Sequence, residues 1–385
     1  MVKPLRVALI GQKFMGRAHS NAWGQVGRFF ELPRRVELGT VCARDQQELE
    51  AFAANWSWED STTDWRELMD DDAIDLVDIG TPNHIHAEPA LAALAAGKHV
   101  ACEKPLAGTL DDARTMRDAA RKAKRKKVQT FVWFNYRRCP AVALARELVG
   151  EGRLGELYHV RATYLQSWGG PDTPRVWRFQ KKFAGSGAHG DLNAHIVDMA
   201  RFITGEEVKE VTGALARTFI PQRPKPSGKG TARSDVDDAV LFIAGMQGGA
   251  TASFEASRLA PGHQNSNTIE LNGSKGSLRF DFEDMNVLWY HDETASPRTA
   301  GWQRIMCTNE AGGHPFAGSW WPDAHVLGYE HGFVNMAADV VRAVAGRKPS
   351  APLPDFEDAW QTQRVLEAAM RSAEGRCAVR LSDVK

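Results

Sequence analysis

Apolar residues in the first third of the chain follow two alternating rhythms. Short β-branched runs at 6–10, 36–42, 74–79, 99–102 and 128–134 each read as a buried strand. Segments of helical period lie between them. One spans 46–55 with Asp45 as its N-cap, and another spans 87–96 and is closed by Gly97. A third opens on Thr109-Leu110-Asp111-Asp112, a capping box with Asp in the usual Glu or Gln place. Strands that alternate with helices predict a parallel, doubly wound sheet.

Later the rhythm changes. After a helix begun by Pro140 and running to 149, residues 157–164 alternate as a strand. Strands then dominate at 208–215, 239–245, 250–256, 268–272, 277–280 and 287–290, with a hairpin turn at Gln247-Gly248-Gly249. Two helices follow, at 325–345 and at 355–372, the second capped by Asp355. The stretch 221–230, rich in Pro, Gly and Lys, reads as a mobile loop, and 298–319 as irregular. A chain of 385 residues exceeds one ordinary core. The expected division is a nucleotide-binding domain at 1–134 and a substrate and oligomerisation domain at 135–385, with the last helix a candidate to pack back on the first domain.

Composition narrows the function. Lys plus Arg and Asp plus Glu both number 48, so the charge balance gives no reason to expect nucleic acid or an anionic membrane as partner. The basic run 121–127 reads as the solvated C-terminal end of a helix. Five cysteines, scattered and without C-x-x-C spacing, suit a reducing compartment and argue against a structural zinc site. No segment is apolar for long enough to span a bilayer, and a cytoplasmic location is expected.

Three turns carry candidate chemistry. The first strand runs into Gly11-Gln12-Lys13-Phe14-Met15-Gly16 and then a helix, the context of a dinucleotide fingerprint, with Lys13 where the middle glycine normally stands. The second strand ends in Ala43-Arg44-Asp45. Where NAD-binding folds place an acid there is Ala43, and Arg44 follows it, which favours NADP over NAD. Asp45 also reads simply as a helix cap. The third and fourth strands end in Thr81-Pro82-Asn83-His84-Ile85-His86 and Glu103-Lys104-Pro105. Right-handed crossovers put all these turns on one rim. Further on, Asp191, His195 and Asp198 fall at i, i+4 and i+7, a polar stripe beside Leu192, Ile196, Met199 and Ile203.

With the Gly-rich lead-in Ala184 to Asp191, these motifs resemble, in order and spacing, the glucose–fructose oxidoreductase/inositol dehydrogenase/rhizopine-catabolism (Gfo/Idh/MocA) family, over essentially the whole chain. The resemblance implies an α/β fold: an N-terminal Rossmann domain and a C-terminal α/β domain with a large open, mostly antiparallel sheet. That sheet would join subunits into a homodimer or homotetramer. It also implies NAD- or NADP-dependent hydride transfer at a hydroxyl or keto group of a sugar, polyol or inositol-like substrate. The cofactor would meet Gly11, Lys13, Phe14, Met15, Gly16, Arg44, Thr81, Pro82, Asn83, His86, Glu103 and Lys104. The substrate would meet Tyr136, Arg137, Trp168, Trp177, Arg178, His189, Asp191 and His195, the tryptophans offering flat faces to sugar C–H bonds.

An alcohol loses a proton from oxygen as hydride leaves carbon, so a group of near-neutral pKa is wanted, and His195 fills that role. Asp191 would orient it or bind a second hydroxyl, and Lys104 would stabilise the developing alkoxide. No metal is expected, because the nicotinamide takes the hydride. Departures from the family pattern are Lys13 for glycine, Asn193 for glycine and His189 for an aliphatic residue. Two other readings stay open: an NAD-dependent glycoside-processing enzyme that oxidises its sugar only transiently, and a non-catalytic sugar or cofactor sensor. A sensor would be expected to lose Lys104 or His195, and both are present.

Overall fold

The computed structural model describes residues 2–385 and divides into two units. The first comprises Met1–Arg138 and Gly328–Trp360. Its sheet contains β1 (Leu5–Ile10), β2 (Val36–Cys42), β3 (Asp60–Thr62), β4 (Leu76–Ile79), β5 (His99–Cys102) and β6 (Thr130–Val132). The order is β3-β2-β1-β4-β5-β6, and every neighbouring pair is parallel. Val7, Ala8, Leu9, Val77, Val100 and Ala101 are fully buried. Strands covered on both faces carry continuous apolar runs, which is why they were legible. The edge strand β3, three polar residues long, has no such signal.

A single division at 134 does not describe the return of residues 328–360 to the first unit. The helix Tyr329–Val344 belongs there. The Val132 N–H donates to the Pro354 carbonyl at 2.8 Å, and the Phe356 N–H to Thr130 Oγ1 at 3.2 Å. Arg138 is fully buried, 3.2 Å from Asp339, and donates to the carbonyls of Ala351 and Pro352 at 2.9 Å each. The last helix, Phe356–Gly375, divides at Trp360 between the two units.

The second unit comprises Cys139–Leu327 and Gln361–Lys385. Its strands are β7 (Leu157–Leu165), β8 (Val208–Arg217), β9 (Gln222–Pro224), β10 (Thr231–Arg233), β11 (Ala239–Met246), β12 (Thr251–Ser257), β13 (Ser266–Gly273), β14 (Gly276–Asp281), β15 (Val287–Asp292), β16 (Gln303–Met306) and β17 (Val379–Arg380). Nine of them form one sheet in the order β16-β15-β14-β13-β7-β12-β11-β8-β17. Only β12 and β7 run parallel in it.

One face of this sheet buries Val240, Phe242, Ala244, Ala252, Phe254 and Ala256. Helices Pro140–Gly150 and Ala194–Thr204 pack against its strands. The loop expected to be mobile at 221–230 is a correction. β9 and β10 pair across it, and Arg223 within it is fully buried. Among the described residues no helix is long and apolar enough to cross a membrane, and no group of three or more His, Cys, Asp or Glu could hold a metal ion.

Candidate active site

In the first unit the turns leave the sheet at one level. The Gly11 N–H donates to Cys42 O at 2.9 Å, the Gly80 N–H to Ile10 O at 2.9 Å, and the Glu103 N–H to Ile79 O at 2.8 Å. This is the carboxyl rim, with the strand order reversing between β1 and β4, where such folds hold dinucleotides. Gly11 sits at φ +123°, and a Cβ there would lie 2.6 Å from Gly80 O. A Cβ on Gly16 would lie 2.2 Å from Gly11 O. Backbone therefore meets backbone at the turn, and no side chain intrudes. Lys13 supplies no side-chain cap to the helix Phe14–Phe29. A helix start without such a cap suits a pyrophosphate, so the residues present fit a dinucleotide.

Around this turn Phe14 and Arg44 are exposed, while Met15, Thr81, Pro82 and Asn83 are half-buried. Asp45 caps the helix Gln46–Trp56 by accepting from the Glu48 N–H at 2.9 Å. Glu48 itself turns to the glycine turn. It pairs with Lys13, and its Oε2 accepts from Gln12 Nε2 at 3.0 Å. His86 corrects an expectation. Its ring is fully buried, with Nε2 2.8 Å from Thr81 O and Nδ1 3.2 Å from the carbonyls of Pro105 and Leu106. It braces the Thr81 turn against the Lys104 turn, and its side chain is not available to a cofactor.

Lys104 follows β5, and beneath it lies a buried ionic cluster of which sequence reading singled out Glu103 alone. Glu103 Oε2 accepts from the Lys104 N–H at 3.0 Å, and its Oε1 lies 3.1 Å from His19 Nε2. His19 Nδ1 lies 3.1 Å from Asp78 Oδ2. Asp78 also accepts from the indoles of Trp23 at 2.7 Å and Trp133 at 2.8 Å. A histidine one turn beyond the glycine turn, an aspartate inside an apolar strand and two tryptophans were the available signals.

In the second unit His189–Asn193 forms a π-turn that leads into the helix Ala194–Thr204. Such turns recur at functional sites. Asp237 holds its start, accepting from the N–H groups of Gly187 and His189 at 2.8 Å each. Gly187 is required there, since a Cβ would lie 1.8 Å from Asp237 O. Residues 194–203 are buried on every side, Asp198 included.

Within this setting Asp191 is partly exposed and lies 2.8 Å from the buried Arg258 guanidinium. His195 is largely buried and packs against Tyr164, ring centres 5.8 Å apart. Arg258 follows β12 and stacks over Trp168 at 4.9 Å and Phe179 at 5.8 Å. Arg223 also lies over the Phe179 ring, at 3.8 Å, and pairs with the buried Asp238 at 2.8 Å. Sequence reading missed Arg258. Its one signal is an arginine directly after a buried strand.

The remaining substrate candidates separate into two groups. Trp168 stays 39% exposed despite its stack, and Arg178 lies over the half-buried Trp177 at 4.5 Å. Burial draws Arg178 below its usual pKa, Arg258 adds to this, and Asp191 opposes it. Arg178 and Arg258 thus both act on the Asp191 carboxylate. Tyr136, Arg137 and His189, by contrast, are buried. Arg137 pairs with Asp358 at 2.7 Å. His189 bonds to Leu366 O at 2.8 Å and to Asn193 Nδ2 at 2.9 Å. Arg137 and His189 are therefore corrected from substrate ligands to internal braces. The same pair explains why Asn193 and His189 occur together.

Residues 5–131 match the oxidoreductase family with an NAD-binding Rossmann fold, and residues 142–279 match the GFO/IDH/MocA C-terminal domain. The chain belongs to the Gfo/Idh/MocA family and is a dehydrogenase of that class. Among its relatives, levoglucosan dehydrogenase of Pseudarthrobacter phenanthrenivorans is 41% identical over 384 residues, covering 96% of each chain. A 1,5-anhydro-D-fructose reductase of Ensifer adhaerens is 30% identical over 67% of this chain and 75% of its own. Of solved structures, an oxidoreductase domain protein from Kribbella flavida is 48% identical with a TM-score of 0.94, covering 99% of this chain and 100% of that one. Levoglucosan dehydrogenase in complex with NADH and L-sorbose is 38% identical with a TM-score of 0.93, covering 99% of each.

Proposed function

We propose that the protein oxidises a ring hydroxyl of a neutral anhydrosugar of the levoglucosan kind, with Lys104, Asp191 and His195 carrying the reaction. The observation that supports this most is the Asp191–Arg258 pair, set four residues before His195 and floored by Trp168 and Phe179. A carboxylate tied to a guanidinium is a fixed hydrogen-bond acceptor for an uncharged hydroxyl, and the indole suits the C–H face of a sugar ring. Nicotinamide, when bound, supplies the hydride acceptor. His195 takes the hydroxyl proton, and the Lys104 ammonium stabilises the developing alkoxide. The levoglucosan dehydrogenase relative, similar along nearly the whole chain, supports the anhydrosugar class.

The dinucleotide we propose is NAD. The exposed Arg44 suits the 2′-phosphate of NADP, but Glu48 brings a carboxylate to the glycine turn that would repel it. We also propose that a second copy covers the open face of the nine-stranded sheet, where Leu215, Leu241 and Ile243 are 56%, 41% and 52% exposed. Light scattering should give a dimer or tetramer, weakened by Ile243→Lys, and a wild-type monomer would contradict this.

NADH formation across levoglucosan, glucose, sorbose and inositol, with NAD and NADP in parallel, tests the reading. Turnover should be fastest with levoglucosan and NAD. Absence of NADH formation with every sugar would overturn it.

A further inference from the structure

We propose that His19 is a positioning residue for Lys104: a buried imidazole that, through Glu103, ties the catalytic turn to the dinucleotide-binding helix. This rests on the catalytic role proposed above for Lys104.

The geometry carries the argument. His19 lies on the helix Phe14–Phe29, one turn after Gly16, and is fully buried. Its two ring nitrogens each face a carboxylate at 3.1 Å, Asp78 on one side and Glu103 on the other. Nε2 hydrogen-bonds to Glu103, whereas Nδ1 meets Asp78 at ion-pair distance without hydrogen-bond alignment. Glu103 uses its two oxygens for different partners, one for His19 and the other for the Lys104 N–H. The carboxylate is thus a rigid link between the helix and the residue that bears the ammonium. Trp133 lies against the imidazole at 4.3 Å and Phe333 at 5.8 Å, so the ring cannot swing away.

The titratable groups around it are Asp78 on β4 and Glu103 and Cys102 at the end of β5, with His86 in the field of Glu103. Burial works against a charge on His19, yet the two carboxylates outweigh it and raise the pKa to about 9. The ring therefore stays charged through the neutral range. Two buried carboxylates left without that cation would repel each other, and the turn holding Lys104 would lose its fixed position.

The test is a double-mutant cycle with His19→Gln and Lys104→Ala. Glutamine keeps one donor toward Glu103 and removes the charge. His19→Gln should lower kcat about 10- to 100-fold while the KM for NAD changes less than about threefold. In the Lys104→Ala background the same change should have almost no further effect, because the group it positions is gone. An equal loss of kcat in both backgrounds, or no loss in either, would overturn the proposal. If Lys104→Ala alone kept full activity, the catalytic role of Lys104 would fail instead, a separate result. Should His19→Gln not fold, Glu103→Gln enters the same cycle with the same expectations, since it weakens the imidazole link and preserves side-chain size.

Discussion

Two anchors in this protein solve the same problem with opposite charges. In the first unit, an ammonium-bearing turn rests on a carboxylate held by a buried imidazole: Lys104, Glu103, His19 and Asp78. In the second, a carboxylate is held by a buried guanidinium that is itself stacked on rings: Asp191, Arg258, Trp168 and Phe179. Both fix a polar group beside apolar packing, where an unpaired charge would be costly. They differ in what keeps them charged. Arginine is always protonated, whereas an imidazole depends on its surroundings. The guanidinium anchor should therefore hold at any working pH, and the imidazole anchor should fail in alkali.

The largest effects should come from the reacting groups themselves. Lys104→Ala and His195→Ala should each lower kcat about 10²- to 10⁴-fold while leaving NADH affinity, read by fluorescence titration, within about threefold. A comparable loss of NADH binding would put both residues in the cofactor site and outside the reaction. Next comes the guanidinium anchor. Arg258→Met should lower kcat/KM about 100-fold, mostly through the KM for sugar, because Asp191 loses the partner that places it. Arg258→Lys should recover only part of this, since an ammonium lacks the planar fork. Full activity in Arg258→Met would remove Asp191 and its partner from the account.

Stability against pH separates the two anchors further. His19 titrates at about 9 in the folded protein and near 6.5 once unfolded. The folded state binds this proton more tightly, so the stabilisation is complete below about pH 6.5 and disappears as pH rises through about 9. His189 has the opposite sign. Burial first, against the pull of Asp237, holds its pKa below the usual value. Its stabilisation is present above about pH 6.5 and is lost as pH falls below it. Thermal unfolding should show His19→Gln differing least from wild type at alkaline pH. His189→Gln should differ least at acid pH. Identical offsets at all pH values would contradict both. The smallest effect belongs to Glu48→Gln, which should raise kcat/KM for NADP relative to NAD about three- to tenfold, as expected for an exposed charge.

Much of this was legible in the chain itself. The strand, glycine turn and helix at 5–29 carry local signals, and so do the Asp45, Thr109 and Asp355 caps, seen as Glu48, Asp112 and Asp358 N–H bonds. What escaped depends on partners remote in sequence. Nothing near His189 marks it as a brace, because its acceptor is the Leu366 carbonyl, 177 residues away. Arg223 looks like part of a solvated loop until Asp238 and the ring of Phe179 enclose it. Arg258 reaches Asp191 across 67 residues. The π-turn at His189–Asn193 breaks the 3.6-residue period on which the stripe through Asp191 and His195 was drawn. Charged residues in particular reveal their burial only through the counter-charge that meets them.

The most direct test is the pH dependence of NADH formation from levoglucosan, measured on wild-type protein and on His195→Ala. Wild type should form NADH with a kcat/KM that rises with pH through an ionisation absent from the variant, whose residual rate is far lower. A wild-type protein that forms no NADH from the sugar, or a variant that keeps the same ionisation and rate, would contradict the account.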